Sequence, residues 1–173
     1  TLAAGVGDLK KVLSNVKTRG ILGEVQLGAI LEQLLAPAQY EANVATVPGS
    51  SERVEYALRL PGDGENTVWM PIDAKFPLDA YNALLAAYDA ADPAAVESAA
   101  KELDKRLRAF AKDIHDKYLA PPHTTDFGVM FLPVEGLYAE AVRRGITERL
   151  QREYKVVAAG PTTMAALLNS LQM

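Results

Sequence analysis

Asp73 and Lys75, in the run Ile72-Asp73-Ala74-Lys75-Phe76, are separated by one residue. Side chains alternate along a strand, so a carboxylate and an ammonium at this spacing leave the sheet on one face. Two more acids fall where they could join them. Glu55 lies in an alternating run that reads as the hairpin partner of the Asp73 strand, on the face shared by Arg53, Ala57 and Arg59. Glu24 lies on a predicted helix, within roughly 20° of Leu31 and Leu35 at about 100° per residue, and a carboxylate on an apolar stripe is costly unless something pairs with it. Three acids converging on a small volume repel one another, and a divalent cation resolves that conflict. Magnesium prefers a few carboxylates, keeps several waters, and completes its shell with phosphate oxygens. Glu24, Glu55 and Asp73 are therefore candidate ligands for Mg²⁺ or Mn²⁺. Lys75 is the candidate for orienting a water or stabilising the negative charge of a phosphodiester transition state.

Each residue also has a plainer account. Asp73 and Lys75 could be a surface ion pair, Glu55 could pair with Arg53 or Arg59, and Glu24 could sit at the wet end of its stripe against Lys17 or Arg19. A carboxylate-pair glycosidase would use two of the acids but leaves Lys75 without a task.

The elements that must position these residues follow from patterning. Leu2, Val6, Leu9, Leu13 and Val16 form a heptad seam, read either as an amphipathic helix or as the end of an upstream coiled coil. Lys17-Thr18-Arg19-Gly20 interrupts it, and a helix is expected from about Ile21 to Leu35, stopped before Pro37. Strands are expected at 44–47, 53–60 and 67–76, the last two joined by the turn-rich Pro61-Gly62-Asp63-Gly64-Glu65-Asn66. Helices follow over 78–88 and 93–118, then a strand at 127–132, a helix at 135–151, a strand at 154–159 and a final helix from Pro161. Strand, helix, strand, helix predicts a parallel pair added to the hairpin. On the long helix, Lys101, Lys105, Arg108 and Lys112 make a basic stripe. They read either as a solvated face neutralised by Glu97, Glu102, Asp104 and Asp113 or, with Lys17 and Arg19, as contacts to DNA phosphates.

Composition narrows the alternatives. A chain of 173 residues with 49% hydrophobic content supports one buried α/β core. The absence of cysteine removes disulfides and thiolate chemistry, and two histidines make a His-rich zinc site a poor fit. Twenty-two acidic residues leave hard, oxygen-liganded metals open. A net charge of -4 argues against binding a polyanion by bulk electrostatics, so DNA would require a local patch or a bound cation. No run of about 18 apolar residues predicts a membrane span.

Five ordered motifs carry a resemblance. Lys17-Thr18-Arg19-Gly20 with Gly23-Glu24, Arg53-Val54-Glu55 leading to Leu60-Pro61-Gly62, Ile72 to Pro77, Phe131-Leu132-Pro133-Val134-Glu135, and Gly160-Pro161-Thr162-Thr163 resemble the successive motifs of the RmuC family from about residue 10 to the C-terminus. These are bacterial proteins described as limiting DNA rearrangement, with a domain similar to the PD-(D/E)xK nucleases. The resemblance implies an α/β fold with a mixed central sheet flanked by helices, restriction-endonuclease-like, and DNA as partner. In the nuclease pattern Glu55 takes the place of the first acid, usually Asp and often after Pro, here Glu after Val54. Asp73 and Lys75 are the (D/E)-x-K, and Glu24 matches a helical acid. The resemblance further implies a cytoplasmic domain in proteins that carry a membrane anchor and a long coiled coil. On that reading, residues 1–17 end an upstream coiled-coil helix that could bring copies together, and 18–173 form the nuclease-like domain with its C-terminus cut short. Glu135 directly follows a strand and Pro133-Val134, and is read as a helix-start acid.

Overall fold

The computed structural model describes residues 16–62 and 66–171, with side chains from residue 22. The heptad seam of residues 2–13 and the side chains of Lys17 and Arg19 lie outside the described residues.

Helix α1 (Val16–Leu34) runs through Lys17-Thr18-Arg19-Gly20 without a break. The expected interruption is absent because one glycine costs a helix only about 1 kcal/mol relative to alanine. Pro37 ends the helical region and opens a single 3₁₀ turn, Pro37–Gln39, in which the Gln39 side chain accepts the Ala36 N–H at 2.6 Å. Strands β1 (Tyr40–Val44), β2 (Val54–Pro61) and β3 (Thr67–Ala74) form an antiparallel meander. The first strand begins four residues before the expected Val44. Residues 45–47 instead form part of the connection to β2, and Asn43 takes a left-handed backbone conformation (φ 58°) just before it.

Two helices, α2 (Leu78–Asp89) and α3 (Pro93–Tyr118), then carry the chain over one face of the sheet. Asp92 caps α3 by accepting the Ala95 N–H at 3.2 Å, and Pro93 occupies the first turn, where its missing donor costs nothing. Strand β4 (Gly128–Phe131) pairs parallel with β3, and β5 (Val156–Ala159) pairs parallel with β4. Between them the expected single helix is two, α4 (Glu135–Arg143) and α5 (Ile146–Tyr154), split where Gly145 adopts φ 71°. Helix α6 (Pro161–Leu171) follows β5.

The result is an α/β domain with a mixed five-stranded sheet in the order β1-β2-β3-β4-β5 and six helices among the described residues. Alternation sorts the core into two layers. Leu27 and Leu31 of α1 and Met164 and Leu168 of α6 pack on Leu58, Met70, Ile72, Val129 and Phe131. On the other face, Leu103, Leu107 and Ile114 of α3 pack with Leu84, Leu137 and Leu150 against Met130, Leu132 and Val156. Ala100 and Ala111 share the buried face of α3 with Leu103, Leu107 and Ile114. No described helix is long and apolar enough to cross a membrane.

Candidate functional site

The β2/β3 register decides whether the hairpin acids meet. Tyr56 pairs with Ile72 and Ala57 with Pro71, so the next rung places Glu55 opposite Asp73, on the helix-covered side that faces α3. Asp73 is 3% exposed, one of four buried polar or charged residues among those described, with Thr46, Thr124 and Glu140. The other three are hydrogen-bonded. Thr46 donates to the Tyr118 carbonyl at 2.7 Å, Thr124 donates to the Thr125 carbonyl at 2.8 Å, and Glu140 accepts from Arg143, Arg144 and Tyr88. Asp73 alone of the four keeps a buried oxygen, Oδ2, with no hydrogen-bond partner. Lys75 Nζ stands 3.0 Å from that oxygen, an ion pair by distance but not in hydrogen-bonding alignment. Asp104 Oδ1 on α3 is likewise buried and ion-paired, with Arg108 and Arg149, without an aligned hydrogen bond, so what sets Asp73 apart is the second carboxyl beside it, Glu55.

Glu55 completes the pair. Its Oε2 accepts the backbone N–H of Ala74 at 3.2 Å, so the glutamate is fixed to the segment that presents Asp73 and Lys75. Burial pushes the Glu55 carboxyl up to about 8, the Asp73 charge adds to the rise, the Ala74 N–H opposes it, and the Glu24 charge contributes a smaller upward push. Burial and the Asp73 charge thus both favour the protonated form of Glu55. A divalent cation held between the two carboxyls would remove that repulsion.

Glu24 stands apart. It is exposed at the solvent end of the stripe whose deeper members, Leu27 and Leu31, are fully buried. Its helix is seated by Gly23, where a Cβ would come within 3.1 Å of Pro133 Cγ and 3.6 Å of Ala74 Cβ. The Glu24 charge is felt by both Glu55 and Tyr56, whose hydroxyl is raised first by burial and then by Glu24. Among the described residues, no group of three or more acids or histidines is gathered closely enough to form a ready metal cluster. The structure thus brings together Asp73, Glu55 and Lys75, with Glu24 at the rim.

The basic stripe of α3 is largely neutralised on its own helix. Lys101 pairs with Glu97 at 3.4 Å, Arg108 with Asp104 at 3.5 Å and Lys112 with Asp116 at 2.5 Å, while Lys105 has no acid within ion-pair distance among the described residues. Asp113, expected to neutralise the stripe, instead pairs with Lys117 at 3.1 Å. His115 and His123 are exposed. Glu135 opens α4 and accepts the Thr162 N–H at the start of α6, joining the fourth and fifth sequence motifs. Replacing Glu135 by Ala is expected to lower stability by about 1 kcal/mol in urea unfolding while leaving any activity of the Asp73 site within about twofold.

Two residues at the site escaped sequence reasoning. The Phe110 ring lies under Lys75, with Nζ 5.3 Å from its centroid. The Tyr118 hydroxyl, pushed up to about 12 first by burial and then by Asp73, also feels Glu52, Asp113 and Glu55. Both are aromatic residues of α3, and their i, i+8 spacing carries no signal of what faces them.

The fold and site together define an α/β domain whose mixed sheet presents a buried aspartate, a paired glutamate and a lysine from one hairpin. A model of the RmuC family matches residues 1–173, and the chain belongs to that family. It is 57% identical over 175 aligned residues to a DNA recombination protein RmuC homolog of Xylella fastidiosa (strain Temecula1), covering 99% of this chain and 38% of that protein. A protein of the same description from Chlamydia muridarum is 29% identical over 167 residues, covering 94% of this chain and 36% of that protein. The chain therefore spans less than two fifths of the length of these curated relatives. No solved structure matches it.

Proposed function

We propose that this domain is a divalent-cation-dependent phosphodiesterase acting on DNA, with a restriction-endonuclease-like fold. The observation that carries the reading is the Asp73 carboxylate, buried beside Glu55 and ion-paired through Oδ2 with Lys75 at 3.0 Å. The name of the relatives, DNA recombination protein, supports DNA as the polymer. Asp73 and Glu55 would hold Mg²⁺ or Mn²⁺, with Glu24 as a third acid from the rim. When bound, the ion would neutralise the scissile phosphate and lower the pKa of an attacking water. Asp73 supplies an anchor already stripped of water. Glu55 gives up its proton to become a second carboxylate and stays oriented by the Ala74 N–H. Lys75 places a positive charge beside the pair, where it can orient a water or stabilise negative charge developing on phosphate oxygens.

A second reading, a DNA-binding or scaffold domain without turnover, is favoured by one observation. Glu24 is exposed, and no three acids are gathered into one cluster among the described residues. Incubating linear, nicked and branched DNA with Mg²⁺ or Mn²⁺ separates the two. Cleavage by the wild type that is lost in Lys75→Ala and Asp73→Asn supports the nuclease; cleavage equal in all three overturns the residue assignment; binding without cleavage establishes the scaffold.

DNA is expected to meet this surface without much help from the neutralised stripe. Exposed ion pairs contribute under about 1 kcal/mol, and the acids that form them offset the attraction to phosphate. Lys101→Ala and Lys112→Ala should each change DNA affinity by less than about twofold at 0.15 M salt in fluorescence anisotropy. Association of copies through the segment preceding α1 belongs to the same proposal.

A further inference from the structure

Lys75 is held from two sides, and only one of them belongs to the hairpin. Its ammonium sits 3.0 Å from Asp73 Oδ2 and 5.3 Å from the centre of the Phe110 ring, with the side chain 25% exposed. Phe110 is one of the partly buried residues packed against the α3 core, two helical turns from Tyr118 and flanked by the fully buried Leu107, Ala111 and Ile114. The ring is therefore anchored by the helix and not by the lysine. A cation over an aromatic face is attracted by the ring quadrupole, the more so where water is scarce. A four-carbon stem otherwise leaves the ammonium many rotamers to sample.

We infer that Phe110 is a positioning residue for the site: its ring holds the Lys75 ammonium against Asp73, so that the charge is in place before any phosphate arrives. This rests on the reading of Asp73, Glu55 and Lys75 as a phosphodiesterase centre, but it makes α3 part of that centre, which no motif of the hairpin implies. Phe110 touches no reacting atom and acts only through Lys75.

Lysine-selective ¹³C labelling tests the contact independently of activity, with Lys75 assigned from the spectrum of Lys75→Arg. The ring current of Phe110 places the Lys75 Cε protons upfield of those of exposed lysines. Phe110→Leu, which keeps an apolar side chain, returns them to the exposed range, and Phe110→Trp, with a larger ring, keeps them upfield. A Lys75 signal already in the exposed range in the wild type, or one unmoved by Phe110→Leu, overturns the inference; the wild-type and Trp spectra decide it even where the leucine variant unfolds. In cleavage, Phe110→Leu lowers kcat roughly tenfold with KM unchanged and Phe110→Trp recovers it to within about threefold. An equal loss in both variants assigns Phe110 a packing role alone. If the wild type does not cleave DNA, the phosphodiesterase reading fails while the lysine spectrum still decides the contact.

Discussion

Asp73→Asn is expected to fold, to bind Mn²⁺ at least about tenfold more weakly than the wild type, and to lose metal-dependent DNA cleavage by about 10³-fold or more. The substitution is nearly isosteric, so the 3% exposed site is refilled without a cavity. Three things change electrostatically. Oδ2 loses the charge that attracts a cation, Lys75 loses the carboxylate 3.0 Å from its ammonium, and Glu55 is relieved of the neighbouring negative charge. The last change lowers the Glu55 carboxyl toward its ordinary range, so the variant should not be less stable than the wild type above neutral pH. Retained stability with lost Mn²⁺ binding identifies a residue kept for its chemistry. If the Asp73→Asn variant bound Mn²⁺ as tightly as the wild type, the pair would not be a cation site.

Glu55→Gln has its largest effect on stability, and the direction depends on pH. The folded-state carboxyl is raised from 4.5 to about 8, first by burial and then by Asp73. Between those values the folded chain holds a proton that the unfolded chain has released. Its contribution is thus full below about pH 4.5, declines as pH rises toward about 8, and is gone above that. Glutamine keeps an acceptor for the Ala74 N–H and carries no charge. It should match the wild type near pH 4.5, remove this part of the pH slope, and be more stable by about 2 kcal/mol at pH 8.5, with partial solvent access keeping the gain below the full value of the shift. Urea titrations from pH 4.5 to 9 read this directly. Saturating Mg²⁺ should raise wild-type stability at pH 8.5 and have little effect on the glutamine variant. Parallel pH profiles for the two proteins would show that Glu55 is not held against a second buried carboxyl.

The centre of this site is readable in sequence because its geometry is local. Period-two alternation puts Asp73 and Lys75 on one face, and a hairpin around a Gly-rich turn puts Glu55 across from Asp73; the register agrees. What does not read is local in another sense. Glu41, Ala42 and Asn43 lack the β-branched and aromatic character of strand residues, yet β1 pairs with β2 at the sheet edge and so starts four residues earlier than patterning predicts. Gly145 reads as a tolerable interruption of one helix, but a backbone at φ 71° ends it. Gly20 reads as a break and is carried within α1. The position of Glu24 at the wet end of its stripe can be weighed from the sequence but not decided, because where α1 passes the sheet depends on Gly23 meeting Pro133 and Ala74. The contact between Lys75 and Phe110 joins residues far apart in the chain through helix packing, for which no spacing rule exists.

Lys75→Ala isolates the proposed phosphodiesterase role of Asp73, Glu55 and Lys75, because both carboxylates are left in place. The decisive measurement is single-turnover cleavage of end-labelled DNA, with Mg²⁺ or with a chelator, by the wild type and by Lys75→Ala. The wild type is expected to cleave only with Mg²⁺, and the rate to fall at least about 10²-fold in the variant. Equal rates in the two proteins, or wild-type cleavage undiminished by the chelator, would contradict that role.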